Sequence, residues 1–386
     1  MYAREIHDTH GKTFLSNYSK DGTKHINSVS RALLNQLLMT AAEEAGAKIL
    51  FGYKCTRVDL ATRSAVFQDR AMKAVVEAPD LIIGSDGAYS GVRSSLVRTD
   101  RFNYSQTYLP HGYKELTIPA TSAGEFAMHP NRLHIWPRGH FMMIALPNPD
   151  KTFTCTLFAP FEGDDSFALL HSKDAVRAFF HKYFADAVPL MPALEDEFFA
   201  NPTPSLMTVR CSPWSRDNVT LIGDAAHAIV PFFGQGMNAA FEDCVALADC
   251  VAHARASGAA DWVKPALKAY EERRIANANA IADMALENFV EMRDKTGDPE
   301  FLFRKEVAHL LGNAFPDRFL ARYERVSFSL IPYTEAVRIG KLNDIVLDAV
   351  IAQLGAERDV KKVDLEHARH LCEKHLPLID LSTLGY

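Results

Sequence analysis

The stretch Leu221-Ile222-Gly223-Asp224-Ala225-Ala226-His227, continued by Pro231-Phe232-Phe233-Gly234-Gln235-Gly236-Met237-Asn238, decides the reading of this 386-residue chain. A short apolar strand, Val219 to Ile222, ends in Gly-Asp; a proline and two phenylalanines follow; Gly234 and Gly236 then bare backbone N–H groups where a helix starts near Met237. This order builds a cradle. A strand-end carboxylate accepts hydrogen bonds from a polyol, and a helix N-terminus offers free N–H groups and a positive dipole end that favour phosphate or other negative charge. The stretch also contains Gly234-x-Gly236-x-x-Ala239. A dinucleotide fingerprint needs a strand directly before it, and Pro231-Phe232-Phe233 stands there instead, so it is not read as a nucleotide-binding turn.

Upstream of the cradle, Asp80 to Gly84 is a short buried strand running into Ser85-Asp86-Gly87, Ala47 to Leu60 reads as strands, and Arg31 to Ala45 has helical periodicity. Between them and the cradle, from about His111 to Pro204, apolar and polar residues alternate in aromatic-rich stretches (Leu133 to Trp136, Phe141 to Leu146, Phe153 to Phe158), the pattern of an antiparallel sheet with one amphipathic helix, Asp174 to Phe184, packed on it. Downstream, Met237 to Ala254 reads as a long helix. Everything after Asp261 is helical, punctuated by Pro299, Pro316, Pro332 and Pro377.

Composition excludes several classes. With 48% hydrophobic and 23% charged residues the chain buries a large core. A net charge of -6, with no run of basic residues, argues against nucleic acid as a partner. The six cysteines (Cys55, Cys155, Cys211, Cys244, Cys250, Cys372) form no C-x-x-C pair and read as buried thiols of a reducing compartment. His367 and His370 lack a third ligand nearby and read as a solvated helix face, so no metal is expected. The longest apolar runs, such as Phe141 to Pro147, are far short of the roughly 18 residues of a membrane span.

The Gly-Asp stretch resembles that of the single-component aromatic hydroxylases typified by para-hydroxybenzoate hydroxylase. More narrowly, Asp86-Gly87-Ala88-Tyr89-Ser90-Gly91-Val92-Arg93, His111-Gly112-Tyr113-Lys114-Glu115-Leu116, Leu133-His134-Ile135-Trp136-Pro137-Arg138 and Leu286-Glu287-Asn288-Phe289-Val290-Glu291-Met292 resemble the kynurenine 3-monooxygenase family in order and spacing, over nearly the full chain. The resemblance implies an α/β, FAD-binding, para-hydroxybenzoate hydroxylase-like fold lacking its first βαβ segment. It divides the chain into a remnant of the FAD-binding domain (1–110), an antiparallel substrate domain (111–205), a return to the FAD-binding domain (206–260) and a helical C-terminal region (261–386). Family members open with a strand, a G-x-G-x-x-G turn and a helix that hold the ADP half of FAD. This chain begins at Met1-Tyr2-Ala3-Arg4, downstream of them, so the expectation is of a truncated chain.

The activity implied is hydroxylation of L-kynurenine to 3-hydroxykynurenine, a step of tryptophan degradation, with FAD, NADPH and O2. The expected location is the cytoplasm, or the mitochondrial outer membrane in a eukaryote. The alternatives are an inactive fragment of such an enzyme and a hydroxylase for another aromatic substrate. Carried over from the family, Arg4, Tyr18, Asn288 and Tyr323 take the amino-acid end of the substrate, and Leu133, Met142, Ile144, Phe158, Pro231 and Phe232 wall its ring. Asp224, Gly223, Gly234, Gly236, Met237 and Asn238 hold FAD with Arg31 and Met292, and Asp86-Gly87 serves both FAD and NADPH. No catalytic triad is expected, because the cofactor performs the hard step and the protein binds, orients and excludes water.

Overall fold

In the computed structural model, which describes residues 1–18, 22–294, 299–355 and 358–379, the alternating stretches become strands and the apolar-periodic ones helices. In chain order the strands are β1 (Ala3–His7), β2 (Thr13–Asn17), β3 (Lys54–Asp59), β4 (Ser64–Gln68), β5 (Ala74–Glu77), β6 (Ile82–Gly84), β7 (Asn103–Ile118), β8 (Arg132–Pro137), β9 (Met142–Pro147), β10 (Phe153–Pro160), β11 (Ser205–Ser212), β12 (Ser215–Arg216) and β13 (Val219–Leu221). The helices are α1 (Arg31–Glu44), α2 (Gly91–Leu96), α3 (Lys173–Tyr183), α4 (Leu194–Ala200), α5 (Asp224–His227), α6 (Gly236–Ala256), α7 (Val263–Asp294), α8 (Pro299–Ala314), α9 (Arg322–Ser327), α10 (Tyr333–Leu354) and α11 (Leu365–His375).

One seven-stranded sheet is ordered β11-β7-β10-β9-β8-β1-β2 and contains the strands of the stretch expected to bind substrate. Its register sorts side chains into two faces, because directly opposed residues share a face and the period along a strand is two. Arg4 opposes Leu133, Ile135 opposes Ile144, Pro137 opposes Met142, and Met142 in turn opposes Phe158. All of these lie on one face. The opposite face presents Leu116, Trp136, Met143, Ala145, Cys155 and Leu157 to α3 and α4, which contribute Val176, Phe179, Phe180, Leu194 and Phe198 to a continuous core. Each such side chain, fully buried, stabilises by about 1.5–3 kcal/mol. Helix α3 starts where the Ser172 hydroxyl accepts from Ala175 N at 3.2 Å, and Asp174 in its first turn suits the dipole.

The cofactor side is built on a smaller sheet, β12-β13-β6, with β13 parallel to β6, and on a meander, β3-β4-β5. Its core joins Ile82, Val219 and Leu221 to Leu96 of α2, Leu247 of α6 and Tyr270 of α7. Helix α1 buries none of its residues, and Leu33, Leu37 and Leu38 face solvent.

Four expectations differ from this arrangement. Strands β1 and β2 fall in the sequence range assigned to the FAD-binding remnant, yet β1 pairs with β8 and β2 with β1 in the large sheet. Strand β11 pairs with β7 there as well, so the return to the smaller sheet begins only at β12. The strand region expected from Ala47 starts at Lys54, and Cys244, expected among the buried thiols, is exposed.

Candidate active site

The Gly-Asp turn sits where the small sheet ends. After β13, Gly223 adopts φ +56, which strains any L side chain, and a Cβ there would lie 3.2 Å from Ala240 Cβ. Its N–H donates to Asp243 Oδ2 at 2.9 Å. Asp243 is wholly buried in α6 and also accepts from His227 Nε2 at 2.5 Å and Arg274 Nε at 2.7 Å, while Arg274 reaches Glu242 at 2.5 Å. Burial alone would raise Asp243, but bonds and charges from His227 and Arg274 outweigh it and hold the carboxyl below its usual range. His227 stacks on Trp214, centroids 5.0 Å apart. This network fixes the turn, and the sequence reading missed Asp243 and Arg274. In the sequence Asp243 stands in a helix that also carries Glu242, Asp249 and Arg255, where an acid reads as part of a solvated face.

Asp224 itself is exposed, yet the surrounding protein raises its carboxyl above the usual range, opposed by His227 and Arg31. Beyond Asp224, Pro231–Phe233 forms one 3-10 turn, Gly234 follows at φ +70 with no atom near its Cβ position, and α6 begins at Gly236 with no side chain capping its N-terminus. Met237 and Asn238 are exposed in that first turn. An open helix N-terminus, a glycine without obstruction and an accessible carboxylate fit the flavin half of FAD, its phosphate-side charge included. Arg31 starts α1 within electrostatic reach of Asp224, whereas Met292 lies outside the residues whose side chains are described.

Asp86 plays a more local part than expected. Its Oδ1 accepts from Ser90 Oγ at 2.5 Å and its Oδ2 from Gly91 N at 2.7 Å, so both oxygens already cap α2. Gly87, at φ +80, lets the loop turn with nothing against its Cβ position. Arg93 ties this loop to the Gly-Asp turn, donating to Ala88 O and to Ala225 O at 2.7 Å.

On the pocket face of the large sheet, Arg4, Tyr18 and Tyr323 come together from β1, the end of β2 and α9. The Arg4 guanidinium lies 4.3 Å from the Tyr323 ring centroid and 5.2 Å from that of Tyr18, and the two rings are near parallel at 5.8 Å. No carboxylate among the described residues pairs with Arg4. The Tyr18 hydroxyl is buried with no hydrogen-bond partner among the described residues, and burial pushes its phenol well above the usual range, so it keeps its proton as a donor. Asn288 donates to Phe232 O at 2.6 Å and thereby holds the aromatic turn. Phe232 stacks on Phe289 at 4.3 Å and touches Phe158 at 5.0 Å, and Phe233 stacks on Tyr323 at 5.4 Å. Met142, Phe158 and Phe232 are buried in one cluster with Ile144 packed against it, Leu133 neighbours Arg4 across β8, and Pro231 is exposed.

Residues 4–285 match the family described as FAD binding domain. In fold the chain is similar to 2-methyl-3-hydroxypyridine-5-carboxylic acid oxygenase (TM-score 0.58, 19% identity, covering 78% of this chain and 76% of that one). It is also similar to Klebsiella pneumoniae HpxO complexed with FAD and uric acid (TM-score 0.56, 19% identity, 78% and 74%). Fold and cradle together define an FAD-dependent aromatic hydroxylase. Kynurenine 3-monooxygenase of Dictyostelium discoideum is 46% identical over 385 residues, 97% of this chain and 83% of that protein, and that of Sus scrofa is 44% identical over 346 residues, 87% and 70%. The chain belongs to the kynurenine 3-monooxygenase family.

Proposed function

We propose that the chain hydroxylates L-kynurenine with FAD, NADPH and O2, holding the amino-acid end of the substrate at Arg4, Tyr18 and Tyr323 and its ring against Phe232, Phe158, Met142 and Leu133. The observation that carries this reading is that, among the described residues, no carboxylate pairs with the Arg4 guanidinium and the buried Tyr18 hydroxyl beside it makes no hydrogen bond. Together they offer a cation and a donor to one carboxylate. A buried carboxylate favours a guanidinium with neutral donors around it, and a simple phenol has no such group, which disfavours the hydroxylase for another aromatic.

FAD, bound along Asp224 and the α6 N-terminus, supplies the redox chemistry that transfers one oxygen atom of O2 to the ring, with NADPH as reductant. The protein's part is placement. Arg4 and Tyr18 anchor one end, so the ring extends along the apolar face toward the turn of Phe232, whose backbone carbonyl is held by Asn288. Phe158, Phe232 and Phe289 close that wall and keep water from the reacting ring. Asp243, through Gly223 and His227, keeps the turn bearing Asp224 in one shape. No helix among the described residues is long and apolar enough to cross a membrane.

The test is NADPH oxidation and 3-hydroxykynurenine formation by the FAD-supplemented chain, with and without L-kynurenine. Arg4→Gln is expected to raise the KM for L-kynurenine about 10- to 100-fold, the value of charged hydrogen bonds to a carboxylate. An unchanged KM in that variant, or NADPH oxidation indifferent to L-kynurenine, would overturn the reading.

A further inference from the structure

The segment Leu133-His134-Ile135-Trp136-Pro137-Arg138 places one residue beside Arg4 and turns the next to the back of the sheet. There His134 meets the back of β1, whose Glu5 and His7 alternate with Arg4. His7 Nδ1 lies 2.8 Å from Asp186 Oδ2, His7 Nε2 lies 3.1 Å from His134 Nδ1, and His134 Nε2 lies 3.1 Å from His129 O. Glu5 stands 3.5 Å from His134 Nδ1 and accepts from Arg132 at 3.1 Å. Trp136 donates to Asp186 at 2.9 Å and stacks on His7 at 4.1 Å. Arg138 donates to His7 O at 2.9 Å and Asp8 O at 3.1 Å, pinning the end of β1. Both imidazoles are buried, His7 to 8% exposure and His134 to 2%.

The contacts themselves count the protons. A carbonyl only accepts, so His134 Nε2 carries hydrogen, and an ionised carboxylate only accepts, so His7 Nδ1 does too. The bond between the rings needs one more. Three protons on two rings make one positive charge; a fourth would set two N–H groups face to face, and removing one would oppose two lone pairs. With Glu5 and Asp186 negative, Arg132 positive and the pair carrying one charge, the cluster is neutral, and it stays neutral when Arg138, which feels Asp186 first and Asp8 second, is counted together with Asp8.

We infer that His7 and His134 act as one proton-sharing pair that positions β1, and hence Arg4, so that affinity for an amino-acid carboxylate depends on the pair's protonation. This rests on the reading of Arg4 as the carboxylate ligand. Burial is the largest influence on His134 and holds it below the ordinary imidazole range, and His7 and Arg132 act in the same direction. Burial alone would raise Glu5 and Asp186, but their hydrogen-bond partners hold both below the usual carboxylate range, so both stay ionised as acceptors. A histidine lowered in the folded state binds its extra proton more readily when unfolded. The contribution of the pair is therefore present above about pH 6.5 and lost as pH falls below it.

The experiment is calorimetric titration of the full chain with L-kynurenine at about pH 7.5 and about pH 5.5, where wild type is expected to bind about tenfold more weakly at the lower pH. His134→Gln keeps an acceptor for His7 and a donor for His129 O without a titrating ring. Its affinity is expected to stay within about threefold of wild type at the higher pH and to lose most of the pH dependence. Wild-type and His134→Gln profiles that superimpose would overturn the inference. If that variant fails to fold, nitrogen-15 NMR of the wild-type histidines decides: one shared charge over the two rings supports the pair, and two ordinary neutral tautomers at neutral pH refute it. Failure of the underlying reading looks different. Arg4→Gln would then bind L-kynurenine as well as wild type does, whatever the state of the two histidines.

Discussion

Tyr18 carries a buried hydroxyl that makes no hydrogen bond among the described residues, and that cost has a measurable sign. An unmade hydrogen bond costs about 1–3 kcal/mol. Tyr18→Phe should therefore leave the free protein as stable as wild type or more stable by about 1 kcal/mol, while weakening L-kynurenine about tenfold. Urea unfolding and titration of the same sample check both halves, and a variant that loses stability while keeping affinity would assign the hydroxyl a structural role. Residues of this kind differ in how legible they are. Asp224 could be read because its strand, glycine and following helix form one local pattern. Asp243 could not, since an acid in a helix ordinarily marks a solvated face, and only the approach of α7 turns it into the acceptor for Gly223, His227 and Arg274. Arg4, Tyr18 and Tyr323 share no local pattern at all. They were found through family resemblance, and the sheet and α9 supply the geometry that joins them.

Strand β9 divides two jobs between adjacent residues. Met142 and Met143 are both buried, yet the first faces the aromatic pocket wall and the second the core under α3 and α4. Truncating either to alanine should cost about 2–5 kcal/mol of stability. Met142→Ala alone should also change the affinity for L-kynurenine, by about tenfold if a methionine's worth of apolar contact is lost. Equal effects of both on binding would mean the faces are not insulated. At this scale the sequence is most informative where alternation is strong: β8, β9 and β10 sit where period-two patterning places them, and α3 begins one residue from its expected start. Alternation does not name a strand's neighbour. That β1 runs parallel to β8, carrying Arg4 into the large sheet, depends on a pairing between segments far apart in the chain.

For the molecule as a whole, helix α1 and the segment after it carry part of the exposed apolar surface. Helix α1 buries nothing, and its Leu33, Leu37 and Leu38 join exposed Leu50 and Phe51 as apolar surface. Because Leu33 and Leu37 support no core, replacing both with lysine should change unfolding stability by no more than about 0.5 kcal/mol per site. It should also reduce self-association seen by light scattering. A large loss of stability in the double variant would show that α1 is packed in solution.

The pairing of Arg4 with Tyr323 sets a clock on biosynthesis. Arg4 leaves the ribosome well before Tyr323, which waits in α9, behind the whole of α7 and α8. Chains grow at about 5–20 residues per second and fold from the N-terminus as they emerge. On the proposed reading of Arg4 and Tyr323, the Gly-Asp turn, fixed once α7 has joined α6, can thus form while the nascent chain still lacks half of its amino-acid site. On that reading, selectivity is acquired after the cradle.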